Sequence, residues 1–516
     1  MARRDAQVYA PGALKSAATT RQAPPAGAGA LRDRPAAQRE LGRSVGLLGA
    51  QRIGVLVLGA ARTKIAAALL GPAGMGLLAQ ATSLQELLRQ ASNLGTSRGF
   101  LKLVAESGGR DDRAALERVI LTGTALVAAL SALFSVAAFS FAGPIAARVF
   151  GDPERALFVR LTAITVVAAV PGAMAARVFN GLLDLRAYAA LSLAQPAIAV
   201  VAMAFLAGTR GLAGAVASFA VAEAAGAAIG AALLWRRVVR PRGLDLRPRA
   251  PDRDTLGRLL RYAGALTSAS LASAGATLFV RSEILRHSGP EANGLYQVAW
   301  QVGQNYLAVL GVSLWSYGMP KVASQLHDSE AIVDLQNDFL RIAVLVLAPG
   351  VVLLLVARDL WIPILYSRAF AGAGALVAWQ LAGELVALLR QSMNISLLPR
   401  ERLGFLVAQG VGYWLLWAAL AFGLLRTVGV EGVPIAYCTA NVVLLVVSYA
   451  YHRRVLGYRV ERENRGLLAR TLPGCAVAIA LTQVDGFAVG RALPVALVAV
   501  WALAHRRFLV RLKALV

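Results

Sequence analysis

An all-α, polytopic membrane helical bundle is the fold class this sequence predicts, on three observations. Of the 516 residues, 57% are hydrophobic and 16% charged, and the mean hydropathy is +0.60, too apolar for soluble domains joined by polar loops. Apolar stretches of about 20 residues recur along almost the whole chain, each long enough to span roughly 30 Å of hydrocarbon as a helix. These stretches are unbroken blocks, whereas barrel strands would alternate apolar and polar residues in short runs.

Taken in order, the polar, Ala/Pro/Arg-rich residues Met1 to Arg43 lack the apolar core of a signal peptide and read as a disordered cytoplasmic basic tail. Six segments follow, at Ser44–Leu70, Gly74–Leu103, Leu116–Ala142, Leu157–Leu183, Tyr188–Ala207 and Leu212–Trp235. After a basic linker, residues 237–256, come six more, at Leu259–Leu285, Asn293–Ala323, Leu340–Ala357, Ala371–Leu398, Leu403–Leu425 and Val433–Tyr451. A basic stretch then leads to a closing hairpin, Leu467–Leu481 and Val489–Ala504. The domains expected are therefore the tail (1–43), an N-lobe (44–236), the linker (237–256), a C-lobe (257–452) and a C-terminal segment (453–516) with the hairpin, giving twelve to fourteen crossings.

The formal net charge of +25 is read as a topology signal rather than a nucleic-acid footprint, because short cytoplasmic loops carry the excess of Lys and Arg. Arg110, Arg113 and Arg118, the linker arginines, Arg400 and Arg402, Arg453 to Arg465, and Arg506 to Lys513 fall on one side of the count. Only scattered cations such as Arg148, Arg210 and Arg368 fall on the other. An even number of crossings with both termini cytoplasmic follows, in a bacterial inner membrane. Cys438 and Cys475 sit in apolar segments and match no metal or redox spacing, so they read as packing residues.

An internal repeat supports two parallel six-helix units. ARTKIAAALLGPAGMGLL (Ala61 to Leu78) aligns with VRSEILRHSGPEANGL (Val280 to Leu295) through an Arg, a Gly-Pro turn and a Gly-Leu helix start. Arg62 and Arg281, Lys102 and Lys321, and Pro144 and Pro363 share an offset of 219 (281 − 62, 321 − 102, 363 − 144), while Gly71 and Gly289 differ by 218 (289 − 71). Six helices return the chain to its starting side, so the repeats predict two lobes related by an axis along the membrane normal, an architecture of transporters.

Charged side chains within apolar segments are the candidate site residues, since each costs roughly 2.5 to 3.5 kcal/mol at mid-bilayer on insertion scales. The cations Arg52, Arg62, Lys64, Arg89 and Arg281 are concentrated in the first, second and seventh segments and outnumber the acids there. They are the candidates for a cationic cavity at the lobe interface. Glu86, Glu223 and Glu384 are the candidate coupling acids, able to exchange a proton if burial raises a carboxyl pKa. Structural readings compete: Glu86 and Arg89, one turn apart, can pair with each other, and Arg98, Lys102 and Arg177 can reach the headgroups from helix ends.

No catalytic pattern is present. GPAGMG lacks the Gly-Lys-Ser/Thr ending of a phosphate-binding loop, and there is no HExxH, no cysteine cluster and only four histidines. Arg62-x-Lys64 followed by Leu-Gly-Pro-x-Gly-x-Gly (Leu70 to Gly76), LYSRAFAGA (Leu365 to Ala373), and Ala378-Trp379-Gln380 with Glu384 resemble polysaccharide flippases of the Wzx type. These belong to the multidrug/oligosaccharidyl-lipid/polysaccharide exporter superfamily. The resemblance covers about Ser44 to His452 and implies translocation of an oligosaccharide linked to undecaprenyl pyrophosphate, an O-antigen or exopolysaccharide unit, towards the periplasm. It also implies no cofactor beyond proton or sodium coupling, and as partners membrane lipid, a glycan polymerase and a chain-length regulator, with no nucleic acid. A multidrug exporter of the same superfamily would favour an acid-lined cavity. A membrane glycan polymerase would need a larger external loop than residues 143–155 or 358–370 provide.

The charge asymmetry makes a direct prediction. A cysteine placed at Arg249 should be labelled by membrane-impermeant maleimide only after the cells are lysed, and one at Asp152 or Glu291 in intact cells. Labelling of the Arg249 site from outside would overturn the topology.

Overall fold

The computed structural model describes residues 34–303, 318–482 and 492–504, and every regular element among them is helical. In chain order these are α1 (Arg34–Asn93), α2 (Thr96–Gly109), α3 (Arg113–Ser140), α4 (Ala142–Val149), α5 (Ala156–Gly181), α6 (Leu185–Leu234), α7 (Arg240–Arg242) and α8 (Arg253–Gln301). Then follow α9 (Ser329–Val356), α10 (Arg358–Leu365), α11 (Gly374–Asn394), α12 (Leu403–Val428), α13 (Gly432–Val455), α14 (Arg462–Leu481) and α15 (Leu493–Ala504). Residues 1–50 form a separate unit, helical from Arg34 onward. The tail expected to run to Arg43 therefore gives way to helix ten residues sooner (44 − 34), and residues 1–33 lie outside the described residues.

Among the described residues, seven helical stretches are long and apolar enough to cross a membrane, and three of them run to 48, 58 and 53 residues. About 20 residues suffice for one crossing, so each of the three makes two, separated by a glycine break at Gly71 (φ 63°), Gly211 (φ 55°) or Gly429 (φ 79°). A fourth break, at Gly289 (φ 82°), divides α8. A positive φ in the middle of a helical run suits only glycine without strain, and proline follows directly at Pro72 and Pro290, where it opens the next helix. The breaks come in pairs 218 positions apart (289 − 71 and 429 − 211). So do Gly214 and Gly432 (432 − 214), where a Cβ would stand 1.8 Å from the Leu206 carbonyl oxygen and 2.5 Å from that of Leu424. The repeat seen in the sequence is thus a repeat of backbone conformation.

The two Gly-Pro breaks meet. A Cβ on Gly76 would stand 1.9 Å from the Pro290 carbonyl oxygen, and one on Gly294 1.9 Å from that of Pro72. Asn293 Nδ2 donates to the Gly76 carbonyl at 2.7 Å, and Gln80 Nε2 donates to Ser282 Oγ at 2.7 Å and to the Val149 carbonyl at 2.9 Å. At this end of the bundle the helix starts 72–76 and 290–294 are held backbone to backbone, and Ser282 ties in the end of the 253–289 arm.

Several expectations are corrected. The predicted segment Gly74–Leu103 is two helices, parted by left-handed residues Leu94 (φ 41°) and Gly95 (φ 65°). The helix expected from Leu340 starts at Ser329, because the Asp328 carboxylate caps it by accepting from the Glu330 and Ala331 amides, both at 3.0 Å. The stretches 143–155 and 358–370, expected as loops, contain most of α4 and all of α10, eight-residue helices each carrying a proline. Residues 304–317 of the eighth predicted segment, 489–491 of the hairpin and the cations Arg506 to Lys513 lie outside the described residues.

The linker is tied down. Asp245 N donates to Glu117 Oε1 at 2.8 Å, Asp252 N to Thr122 Oγ1 at 3.0 Å, and Arg258 pairs with Glu106 at 2.7 Å. Asp252 caps α8 by accepting from Thr255 Oγ1 at 2.6 Å and Thr255 N at 2.8 Å. These two bonds hold its carboxyl below the ordinary carboxylate range. At the other end of the chain, Arg341 pairs with Glu461 at 2.9 Å and Glu463 at 3.4 Å, and Asn464 Nδ2 donates to the Asn337 carbonyl at 2.9 Å, fastening the start of α14 to α9.

Gly76→Ala and Gly294→Ala should each keep the Gly-Pro ends apart, with an overpacking cost of about 1–3 kcal/mol in the closed form. Disulfide trapping between cysteines at Gln80 and Ser282 checks this. Trapping efficiency should fall in both variants, and unchanged trapping would show that the contact yields freely.

Candidate functional site

Away from the Gly-Pro contact, the arms 72–93 and 253–289 border a cavity of about 560 Å³. Its two walls follow helical periodicity: Thr82, Ser83, Glu86 and Gln90 on one arm, and Ser270, Ser273, Thr277 and Arg281 on the other. Ala269, Ala274, Gln297, Trp300 and Trp414 complete it. The lining is mainly hydroxyl and amide, with one carboxylate, one guanidinium and two indoles.

Arg281 is the fixed point of this cavity. It is 1% exposed, its Nη1 donates to Asn293 Oδ1 at 3.2 Å, its Nη2 donates to Gln297 Oε1, and its guanidinium lies 5.3 Å from the Tyr296 ring centre. Its buried Nε has no partner among the described residues. Trp300 stacks on Trp417 at 5.6 Å, and Trp414 meets Trp417 edge-on at 5.6 Å, so the two cavity-facing indoles share a rigid aromatic backing.

Of the eight residues singled out from the sequence, the structure brings Glu86 and Arg281 to this cavity and distributes the rest. Glu86 accepts from Gln90 at 2.6 Å and makes no ion pair with Arg89, contrary to the pairing expected from their spacing. Arg89 turns instead into a smaller cavity with Arg177, Gln195 and Glu223, where Glu223 accepts from Gln195 at 2.6 Å. Arg62 sits 4.9 Å from the Phe219 ring centre, close enough for its charge to act on Glu223. Lys64 donates to the carbonyls of Pro363 at 2.8 Å and Tyr366 at 2.6 Å, joining α1 to the α10 region. Arg52 is exposed.

Glu384 lies behind the aromatic layer, accepting from Tyr437 Oη at 2.9 Å and Gln380 at 3.1 Å. Nearby Arg390 donates to Gln409 and Asn441, both at 3.4 Å, and rests 5.1 Å from the Tyr413 ring centre. Of the cations expected to snorkel, Arg98 is exposed and Lys102 pairs with Glu106 at 3.7 Å, but Arg177 turns inward to Asn93 Oδ1 at 3.0 Å. The sequence reading missed Gln297, Trp300 and Trp414, which come from distant segments and look like ordinary core positions. The signal it could have used is the polar stripe Ser270, Ser273 and Thr277, spaced by three and four in an otherwise apolar helix.

The profile of a family described as "Polysaccharide biosynthesis protein" matches residues 42–316. The lipid III flippase of Escherichia coli (strain K12) is 25% identical over 380 residues, which is 74% of this chain and 90% of that protein, and the lipid III flippase of Shigella flexneri gives the same figures. Among solved structures, the lipid II flippase MurJ in an inward closed conformation aligns with a TM-score of 0.66 at 13% identity, covering 90% of this chain and 99% of its own. An inward-facing multidrug resistance MATE family transporter of the MOP superfamily aligns with a TM-score of 0.63 at 17% identity, covering 78% and 94%. The chain thus has the fold of these transporters, an all-helical polytopic membrane bundle, and its relatives are transporters and flippases rather than enzymes.

Proposed function

This chain belongs to the polysaccharide biosynthesis protein family, and from that membership we propose that it moves a lipid-linked oligosaccharide across the inner membrane by alternating access. The cargo is a glycan repeat unit on undecaprenyl pyrophosphate, passed from the cytoplasmic to the periplasmic leaflet between lobes 44–236 and 257–452. The observation that carries this reading is the lining of the central cavity. Hydroxyl and amide side chains match the hydrogen-bonding groups of a sugar, and an indole offers a flat apolar face for the C–H side of a pyranose with an N–H at its edge. The volume lies within the roughly 300–1,000 Å³ of ordinary ligand clefts. Arg281, with Nε unspent, supplies planar donors suited to phosphate oxygens.

With the Gly-Pro ends periplasmic, as the charge count expects, the form described here is closed to the periplasm and receives its cargo from the cytoplasm. The polyprenyl tail stays in lipid while the head crosses. A multidrug exporter fits less well, because a single carboxylate among hydroxyls and amides gives an organic cation little to pair with.

In a strain lacking the protein, surface glycan should be lost and its lipid-linked precursor should accumulate on the cytoplasmic leaflet. Re-expressed Arg281→Gln and Trp300→Ala/Trp414→Ala proteins should restore display at least tenfold less well than wild type, per amount of protein in the membrane. Full restoration by a well-inserted Arg281→Glu protein and by the double Trp variant would remove the proposed site.

Proton coupling through Glu86, Glu223 and Glu384 makes a separate demand. The triple Glu→Gln variant should lose transport driven by a pH gradient in proteoliposomes. If transport persists undiminished, those carboxylates do not couple it.

A further inference from the structure

We propose that the N-terminal half binds a small inorganic anion in its own cavity, between the guanidinium groups of Arg89 and Arg177. This cavity, of about 230 Å³, lies between α3, α5, α6 and the 72–93 arm of α1, on a face of that arm adjoining the one that lines the central cavity. Gly172, Ala173 and Ala176 make the room for it on α5.

The charge balance is the reason. Arg177 spends Nη2 on Asn93 Oδ1 at 3.0 Å and rests Nη1 against Met174 Sδ at 3.1 Å. The Arg89 guanidinium has no partner among the described residues, and its charge reaches both Arg177 and Glu223. Glu223 is the one acid in the lining, and it is shared, since the field of Arg62 acts on it as well. Three cations and one carboxylate inside a bilayer leave an uncompensated positive field, and like charges facing across a small cavity repel strongly where water is scarce. An anion between Arg89 and Arg177 removes that repulsion. The space suits chloride or a single phosphate, and it is too small for a pyrophosphate bearing sugars. The site is therefore separate from the path proposed for cargo, and it does not depend on that proposal.

The test uses the full chain in lipid nanodiscs. Thermal unfolding is followed while sodium chloride or sodium phosphate replaces the sodium salt of a bulky sulfonate at constant ionic strength. Wild type should show a saturable rise in Tm with at least one of the two anions: preference for chloride marks a halide site, preference for phosphate an oxyanion site. Arg89→Gln and Arg177→Gln should raise the apparent Kd tenfold or more, whereas Arg210→Gln, at an exposed position away from both cavities, should leave it unchanged. Where Arg89→Gln fails to insert, Arg89→Lys should keep the chloride response and weaken the phosphate response, because it retains charge but not the planar fork. The absence of a saturable response in wild type, an undiminished response in Arg89→Gln and Arg177→Gln, or its loss in Arg210→Gln would overturn the site.

Discussion

The contact between the two Gly-Pro breaks is the constraint on which the rest of the bundle depends. Gly76 against the Pro290 carbonyl and Gly294 against the Pro72 carbonyl bring two main chains closer than any side chain permits. From that shared apex the arms 72–93 and 253–289 carry larger and more polar side chains, so space opens between them away from the glycines. The depth of the cavity then follows from helical rise. Arg281 stands eight residues from Gly289 (289 − 281), about 12 Å along the axis, and Glu86 stands fifteen from Gly71 (86 − 71), about 22 Å. The basic group thus lies nearer the closed end and the acid nearer the open one.

A second constraint is the cost of polar groups out of water, which each half meets differently. In the C-terminal half, Glu384, Tyr437, Arg390, Gln409, Asn441 and Ser448 form a connected hydrogen-bonded set behind the aromatic layer. In the N-terminal half Arg89, Arg177 and Glu223 border open space, with Arg89 unpartnered among the described residues. Bonds shared among several side chains stiffen a core, and of this set Arg390 Nε alone is left over among the described residues, whereas an unpartnered charge at a cavity wall invites a ligand. The second half therefore behaves as the rigid wall of the central cavity, and the first carries charge still to be met.

Much of this was legible in the sequence, and the reasons differ by feature. Apolar block length gave the crossings, and the Gly-Pro pairs gave both the breaks and the repeat, because only glycine takes the required φ and proline marks the restart. The short helices α4 and α10 escaped because eight residues containing a proline leave no periodic signal. The face each charge takes was harder. Arg62, Lys64 and Arg89 share one bent helix with Glu86, yet they point to Phe219, to the α10 region, to the smaller cavity and to the central one respectively. A single helix turned by 100° per residue serves several neighbours, and which neighbour lies where is a tertiary fact. The Glu86–Arg89 pair failed for the same reason: Gln90 reaches the carboxylate, while the space beside Glu223 takes the arginine. Trp300 and Trp414 were invisible as a pair because 114 residues separate them (414 − 300).

The nature of the bonds at the closed end bears on how it opens. Besides the glycine contact, the halves are joined there by Asn293 to the Gly76 carbonyl, Gln80 to Ser282, Lys64 to the Pro363 and Tyr366 carbonyls, and Arg286 to the Arg148 carbonyl. The ion pairs described at this end, Arg155–Asp152, Arg286–Glu283 and Arg358–Asp359, each join near neighbours in sequence and do not cross between halves. Neutral hydrogen bonds contribute about 0.5–1.5 kcal/mol each and those with one charged partner about 1.5–3, so the joint is worth several kcal/mol in all. A backbone carbonyl released by Lys64 or Arg286 can be taken up by water entering from that side, and the freed cation is hydrated as well, which lowers the cost of parting. A buried ion pair across the joint would have left two charges to be resolvated together and would have held the end shut far more firmly. In the alternating-access cycle proposed above, closure by carbonyls and amides would keep the two arrangements within reach of the few kcal/mol that differential binding of a cargo can supply.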